Sequence, residues 1–193
     1  MITNSLTSPL SLPTLPSYRI RQKHWQPLRV GLLRIAFGLV WLVAAWLKWQ
    51  RGFQTDFVAQ VSGARDGQPR LIQTWISFWV HIISINPLLF ARIEASTETA
   101  IAILLIFGLF SNLTYIVGLL LSLGIWSTAE GFGGPYMPGQ STDVGTAVPY
   151  AILFAILFSI SAGRYYGLDQ WLTRRLGRFG FLASGWIKGS HKV

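Results

Sequence analysis

Of the 193 residues, 51% are hydrophobic and 12% charged, about half the charged share of a typical soluble domain, and the formal net charge is +9. One domain fits this length, and the apolar runs have the length of membrane helices. The chain has no cysteine and three scattered histidines, His24, His81 and His191, which excludes disulfide exchange, persulfide carriage, thiolate metal sites, iron–sulfur ligation and a bis-histidine haem within one chain.

In chain order, residues 1–24 open with a Ser/Thr/Pro-rich stretch lacking an apolar core, expected to be a disordered cytoplasmic tail rather than a cleaved signal peptide. Residues 25–172 form the expected membrane domain, an all-α integral membrane protein built as a four-transmembrane-helix bundle. Its first span runs from Leu28 to Trp49. There Gly31, Gly38 and Ala45 recur every seven residues beside Arg34, Trp41 and Lys48, so one face carries small and ionisable groups and must pack inward. Arg34, near the start of that span, reads as an interfacial residue that snorkels. About forty residues follow, within which Arg70 to Ile85 carries Leu71, Ile72, Trp75, Phe78, Trp79 and Ile82 at helical spacing and ends at Asn86-Pro87. This predicts an amphipathic helix in the outer interface, with Trp75 and Trp79 as anchors.

The second span covers about Leu89 to Phe110 and the third Leu113 to Thr128. Only Ser111-Asn112 lies between, which predicts an antiparallel hairpin turning at the cytoplasmic face. Glycine and proline then crowd the segment Glu130 to Thr146, a shaped loop bracketed by the carboxylates Glu130 and Asp143. The fourth span, Thr146 to Ala162, has a small-residue seam of Ala147, Ala151, Ala155 and Ser159. Its seam and that of the first span leave internal packing and homo-oligomerisation both open. Residues 173–193 read as a basic cytoplasmic tail that lies on anionic lipid as a membrane-surface helix.

Charge sets the orientation. Arg19, Arg21, Lys23, Arg29 and Arg34 lie at or before the start of the first span, and Arg164, Arg174, Arg175, Arg178, Lys188 and Lys192 follow the fourth, opposed only by Asp169. Both termini are therefore expected in the cytoplasm of a prokaryotic cell, with the protein in its inner or plasma membrane. Topology accounts for the positive charge without a nucleic-acid partner.

Counting helical rise from the cytoplasmic ends puts Lys48 at about 21 Å and Glu98 at about 20 Å, in the outer part of the layer. Each is expensive alone there, which predicts a Lys48–Glu98 ion pair or a ligand bridging them. Glu94 lies one turn from Glu98 on the same face. Glu130 and Asp143 reach the same mouth, Asp143 also reading as the cap of the fourth span and Glu130 as an ordinary helix terminus. For Lys48 and Glu98 a catalytic role and a register-fixing role both stand, and Tyr136 either packs the loop or lines a site.

These residues resemble the DoxD branch of the DoxX membrane family, over roughly Leu28 to Leu172. The resemblance lies in the first span with Arg34, Gly38 and Lys48, the glutamate before Leu-Leu-Ile-Phe-Gly-Leu-Phe, and Glu-Gly-Phe-Gly-Gly-Pro-Tyr with Thr-Asp-Val-Gly-Thr. Ser-Ala-Gly-Arg-Tyr-Tyr-Gly-Leu-Asp169 completes it. It implies a subunit of a thiosulfate:quinone oxidoreductase, partnered by a DoxA-like subunit, that oxidises a small sulfur anion at the extracytoplasmic face and reduces membrane quinone. Under it, Lys48, Arg51 and Arg92 are the cations for the anion. Trp41, Trp46, Tyr136 and Tyr150 line a quinone cleft, Glu98 and Glu130 supply protons, and Asp143 joins the substrate contacts. No metal, haem or flavin motif accompanies these residues. A non-catalytic accessory subunit and a small-solute transporter are the alternative functions.

Overall fold

A computed structural model describes residues 25–136 and 143–184. The expectations for the N-terminal tail, for 137–142 of the loop and for 185–193 lie outside the described residues. The fold is all-α, with no strand among the described residues. Its helices are α1 (Trp25–Lys48), α2 (Arg51–Gly63), α3 (Arg70–Ser84), α4 (Pro87–Phe107), α5 (Ser111–Ser127), α6 (Ala147–Ser159) and α7 (Asp169–Leu176).

α1, α4, α5 and α6 coincide with the four apolar stretches of the sequence. By length and composition, Pro27–Lys48 is the one described helix able to cross a membrane, and the α3–α4 pair, bent by 101°, would be a second; α5 and α6 are shorter apolar helices. α1 packs most extensively on α4, and α5 on α6. Gly38 makes the first contact close: a Cβ there would stand 2.8 Å from Ile106 Cγ1 and 3.0 Å from its backbone nitrogen. The inward face expected for α1 is present, since Gly31, Arg34, Gly38, Trp41 and Ala45 are all buried. The seam of α6 is shorter than expected, because Ala147 and Ala151 are buried whereas Ala155 and Ser159 are exposed.

The core between the two pairs is aromatic. Phe37 and Trp41 of α1 meet Tyr150 and Phe154 of α6 at ring-centroid distances from 4.8 to 6.0 Å. Such tilted and edge-on contacts add to the burial of each ring.

Two helices fill the long connection where one was expected. α3 is the amphipathic helix, with Leu71, Trp75 and Phe78 exposed on one side and Ile76 and Ile83 buried on the other. Asn86 then starts α4, its side chain accepting from Leu89 N at 3.1 Å with Pro87 in the first turn, where a missing N–H is harmless. The unexpected helix is α2, which buries Phe57 and Val61 in a second apolar cluster with Ile76, Ile83 and Ala91.

At the end of the bundle that carries Gly108, Arg34 is buried at 0% exposure rather than snorkelling. Its Nη2 donates to Tyr166 O at 3.0 Å and lies 3.5 Å from Tyr165 O. Gly108, in the left-handed region at φ 62°, ends α4 against the guanidinium, where any Cβ would collide with Nη1. Asp169, also at 0% exposure, accepts on Oδ2 from Ser111 N and from Ser184 N, each at 3.0 Å. The carboxylate thereby serves two backbone amides, one from the first turn of α5. Asn112 Nδ2 donates to Phe181 O at 2.9 Å, which docks the segment after α7 on the α4–α5 turn.

Candidate functional site

The opposite end of the bundle is built differently. The last turn of α1 brings Lys48 against α4, where Glu94 and Glu98 are stacked one helical turn apart. Lys48 Nζ donates to Glu94 Oε1 at 2.5 Å and stands 3.8 Å from Glu98 Oε1. The expected Lys48–Glu98 pair is thus a three-membered cluster whose shorter contact is to Glu94. The ammonium answers the repulsion between the two glutamates, a part that exposed Arg92 does not take. Phe53 of α2 lies beside the ammonium, with Nζ 4.2 Å from its ring centroid, and Gln54 Nε2 donates to Lys48 O at 2.8 Å. Trp49 Nε1 donates to Thr99 Oγ1 at 3.1 Å, a further tie between α1 and α4.

Below this cluster lies a cavity of about 210 Å³ between α1, α4, α5 and α6, lined by Val40, Trp41, Ala44, Lys48, Glu98, Ser122, Ile125, Glu130, Thr146, Ala147 and Tyr150. Five of the ten residues singled out from sequence meet here: Trp41, Lys48, Glu98, Glu130 and Tyr150. Two buried polar atoms of lining residues have no hydrogen-bond partner among the described residues, Trp41 Nε1 on a residue 3% exposed and Glu98 Oε2 on one 2% exposed. A buried donor and a buried acceptor left open are each costly, by about 1–3 kcal/mol, unless something else satisfies them. Ser122, which sequence reasoning missed, also lines the cavity; its hydroxyl donates to Gly118 O at 2.8 Å.

The loop closes this end. Glu130 accepts from Thr146 Oγ1 and, on Oε2, from Ala147 N at 3.1 Å, so Glu130 rather than Asp143 caps α6. Asp143 instead accepts from the adjacent Val144 N at 2.6 Å, on the exposed side of the loop. The glutamate wins because the hairpin lays it over the first amides of α6, where a carboxylate also meets the positive end of the helix dipole. Trp126 Nε1 donates to Val144 O at 2.8 Å, and Gln68 Nε2, from the α2–α3 turn, donates to Gly131 O at 3.0 Å. The loop is therefore pinned from α5 and from the long connection. Phe132 holds a left-handed backbone, φ 60°, with its ring 5.1 Å from Trp126, and Tyr136 Oη donates to Phe132 O at 2.6 Å. Tyr136 thus braces the loop and does not line the cavity.

The remaining residues expected at the site lie elsewhere. Trp46 is 62% exposed and faces away from the cavity, on a surface shared with Leu42, Val43 and Trp49. Arg51 starts α2 and Arg92 lies on the outer face of α4, both exposed. Asp143 borders a shallow depression with Glu130, Gly133, Gly134, Pro135, Gly145 and Thr146. Among the described residues no group of three or more His, Asp or Glu side chains is placed to hold a metal ion. Neither protein-family models, nor curated proteins, nor solved structures give a match to this chain.

Proposed function

We propose that the protein is a four-span integral membrane subunit that binds the head group of membrane quinone in the cavity between α1, α4, α5 and α6 and reduces it, as part of a thiosulfate:quinone oxidoreductase-like complex. The membrane reading is supported by the outward faces. Leu32, Leu39, Val43 and Leu47 of α1, Ile93, Ile103 and Phe107 of α4, Ile116 and Leu120 of α5, and Ile152 and Ile156 of α6 are all exposed. So much contiguous apolar surface is excessive for a protein bathed in water and ordinary for one bathed in lipid.

The observation that carries the quinone reading is the pair of open polar atoms, Trp41 Nε1 and Glu98 Oε2, on residues that line a cavity whose remaining wall mixes aliphatic and aromatic side chains with Lys48, Ser122, Glu130 and Thr146. A donor able to hold one quinone carbonyl and a carboxyl able to protonate the other are the two polar groups such a ring requires. The volume, below the roughly 300–1,000 Å³ of sites for whole drug-sized ligands, suits a ring head group whose tail lies in lipid.

A dianionic sulfur substrate fits the cavity poorly. Glu98 and Glu130 outnumber Lys48 in its lining. The sulfur anion therefore belongs at the outer surface, where Arg51 and Arg92 are exposed, with a DoxA-like partner completing its site. Two thiosulfates joined through a new S–S bond as tetrathionate release two electrons; quinone takes these and two protons to give quinol.

The test is thiosulfate-dependent reduction of a short-chain quinone by the purified protein together with its membrane partner. One tetrathionate formed per quinol is expected. A folded, quinone-supplied complex that reduces none would overturn the reading.

A further inference from the structure

Glu98 lines the cavity and carries an open oxygen but has only 3% side-chain exposure, so a proton given up there must be replaced through a neighbour. The groups that face it are Lys48 and Trp41 from α1, Ser122 from α5, Glu130 from the loop, Tyr150 from α6 and Glu94 from its own helix. Glu130 is committed to Thr146 and Ala147, and Ser122 to Gly118. Tyr150 is half-buried, but it is Lys48, 3.8 Å from Glu98, and Glu94, bonded to Lys48, that form a chain of polar contacts from Glu98 to partly exposed groups, at 24% and 17% side-chain exposure.

We infer that Glu94 and Lys48 form a proton relay that reloads Glu98 from the end of the bundle bearing the loop. The inference rests on the quinone reading of the cavity and assigns Glu94, a member of the charge cluster that does not line the cavity, as a positioning and proton-supplying residue. Glu98 passes its carboxyl proton to the reduced quinone oxygen and becomes a carboxylate. Lys48 Nζ closes the 3.8 Å gap and donates to that carboxylate, becoming a neutral amine. Glu94, the carboxylate at 2.5 Å, takes up a proton from water and passes it to the amine, which restores the ammonium–carboxylate pair. Two passes supply the two protons of quinol, while both electrons come from the sulfur anion. The Phe53 ring beside Nζ favours the ammonium at rest, so the amine exists only during transfer.

Glu94→Gln keeps the shape and a hydrogen-bond acceptor for Lys48 but removes the carboxylate that takes up and passes on the proton. In the complex, kcat is expected to fall by about a hundredfold, in the range typical of a lost acid–base group, with KM for quinone unchanged. Glu94→Asp and added formic acid should each restore part of the rate, which a purely register-fixing glutamate would not permit. A second readout needs no turnover: infrared measurement of how fast the Glu98 carboxyl proton exchanges with deuterated water, its band assigned by loss in Glu98→Gln. Slower exchange in Glu94→Gln is expected. Unchanged exchange, or no protonated Glu98 at any pH at which the protein stays folded, would overturn the relay. If the wild-type complex reduces no quinone, the functional reading fails, and the exchange rate decides the relay by itself.

Discussion

Both ends of the bundle bury charge, and they do so in opposite ways. At one end Arg34 and Asp169 are sealed at 0% exposure among backbone carbonyls and amides, pressed into place by Gly108. At the other, Lys48, Glu94 and Glu98 grade from partly exposed to buried, and Lys48 and Glu98 line a cavity. Buried charge is therefore not by itself a mark of a ligand site. Both ends leave buried polar atoms open, Arg34 Nε and Nη1 and Asp169 Oδ1 at the first and Glu98 Oε2 at the second; what sets the second apart is that Lys48 and Glu98 line a cavity, whereas the first end turns its bonded atoms to the chain's own backbone.

The sharpest way to break this contrast is Asp169→Ala. It strips Ser111 N and Ser184 N of their acceptor and leaves Arg34 without its nearby countercharge, and loss of about 3–5 kcal/mol is expected by analogy with broken buried pairs. Thermal unfolding in detergent measures it, and quinone binding by the surviving folded fraction should be normal. Glu98→Gln should show the reverse, a nearly unchanged unfolding midpoint with thiosulfate-dependent quinone reduction lowered about a hundredfold. Trp41→Phe keeps an aromatic ring in the core and removes the indole N–H. A roughly tenfold rise in KM for quinone, equal to about 1.4 kcal/mol, is expected from one lost hydrogen bond. Trp46→Ala, at 62% exposure, should leave both KM and kcat within about twofold, since it lies outside the cavity. A large effect there would move the proposed quinone site to the apolar groove that Trp46 shares with Trp49.

Much of the fold was legible because periodicity and chain length determine it. The four apolar stretches, the inward stripe of α1 and the amphipathic helix α3 follow from side-chain spacing. α2 went unread although Phe53, Phe57 and Val61 recur at helical spacing, because a polar thirteen-residue segment in a long connection gives a weak apolar signal. Contacts that join residues far apart in sequence were harder still. Local rules favour Asp143 as the cap of α6, and only the three-dimensional path of the loop brings Glu130 to Ala147 N. Depth counting placed Lys48 level with Glu98, yet it carries no information on rotamers, which give Glu94 the shorter contact. Arg34 read as a snorkelling residue since nothing near it in sequence announces Gly108 or the carbonyls of Tyr165 and Tyr166.

The double use of Asp169 Oδ2 also orders the biosynthesis of the molecule. Ser111 N, at the start of α5, waits for an acceptor made more than fifty residues later, and the same oxygen then takes Ser184 N. While the ribosome is still adding α6, the α4–α5 turn lacks this partner. Both bonds can form only once the chain through Ser184 has been made, so the start of α5 gains this acceptor among the last contacts that synthesis permits.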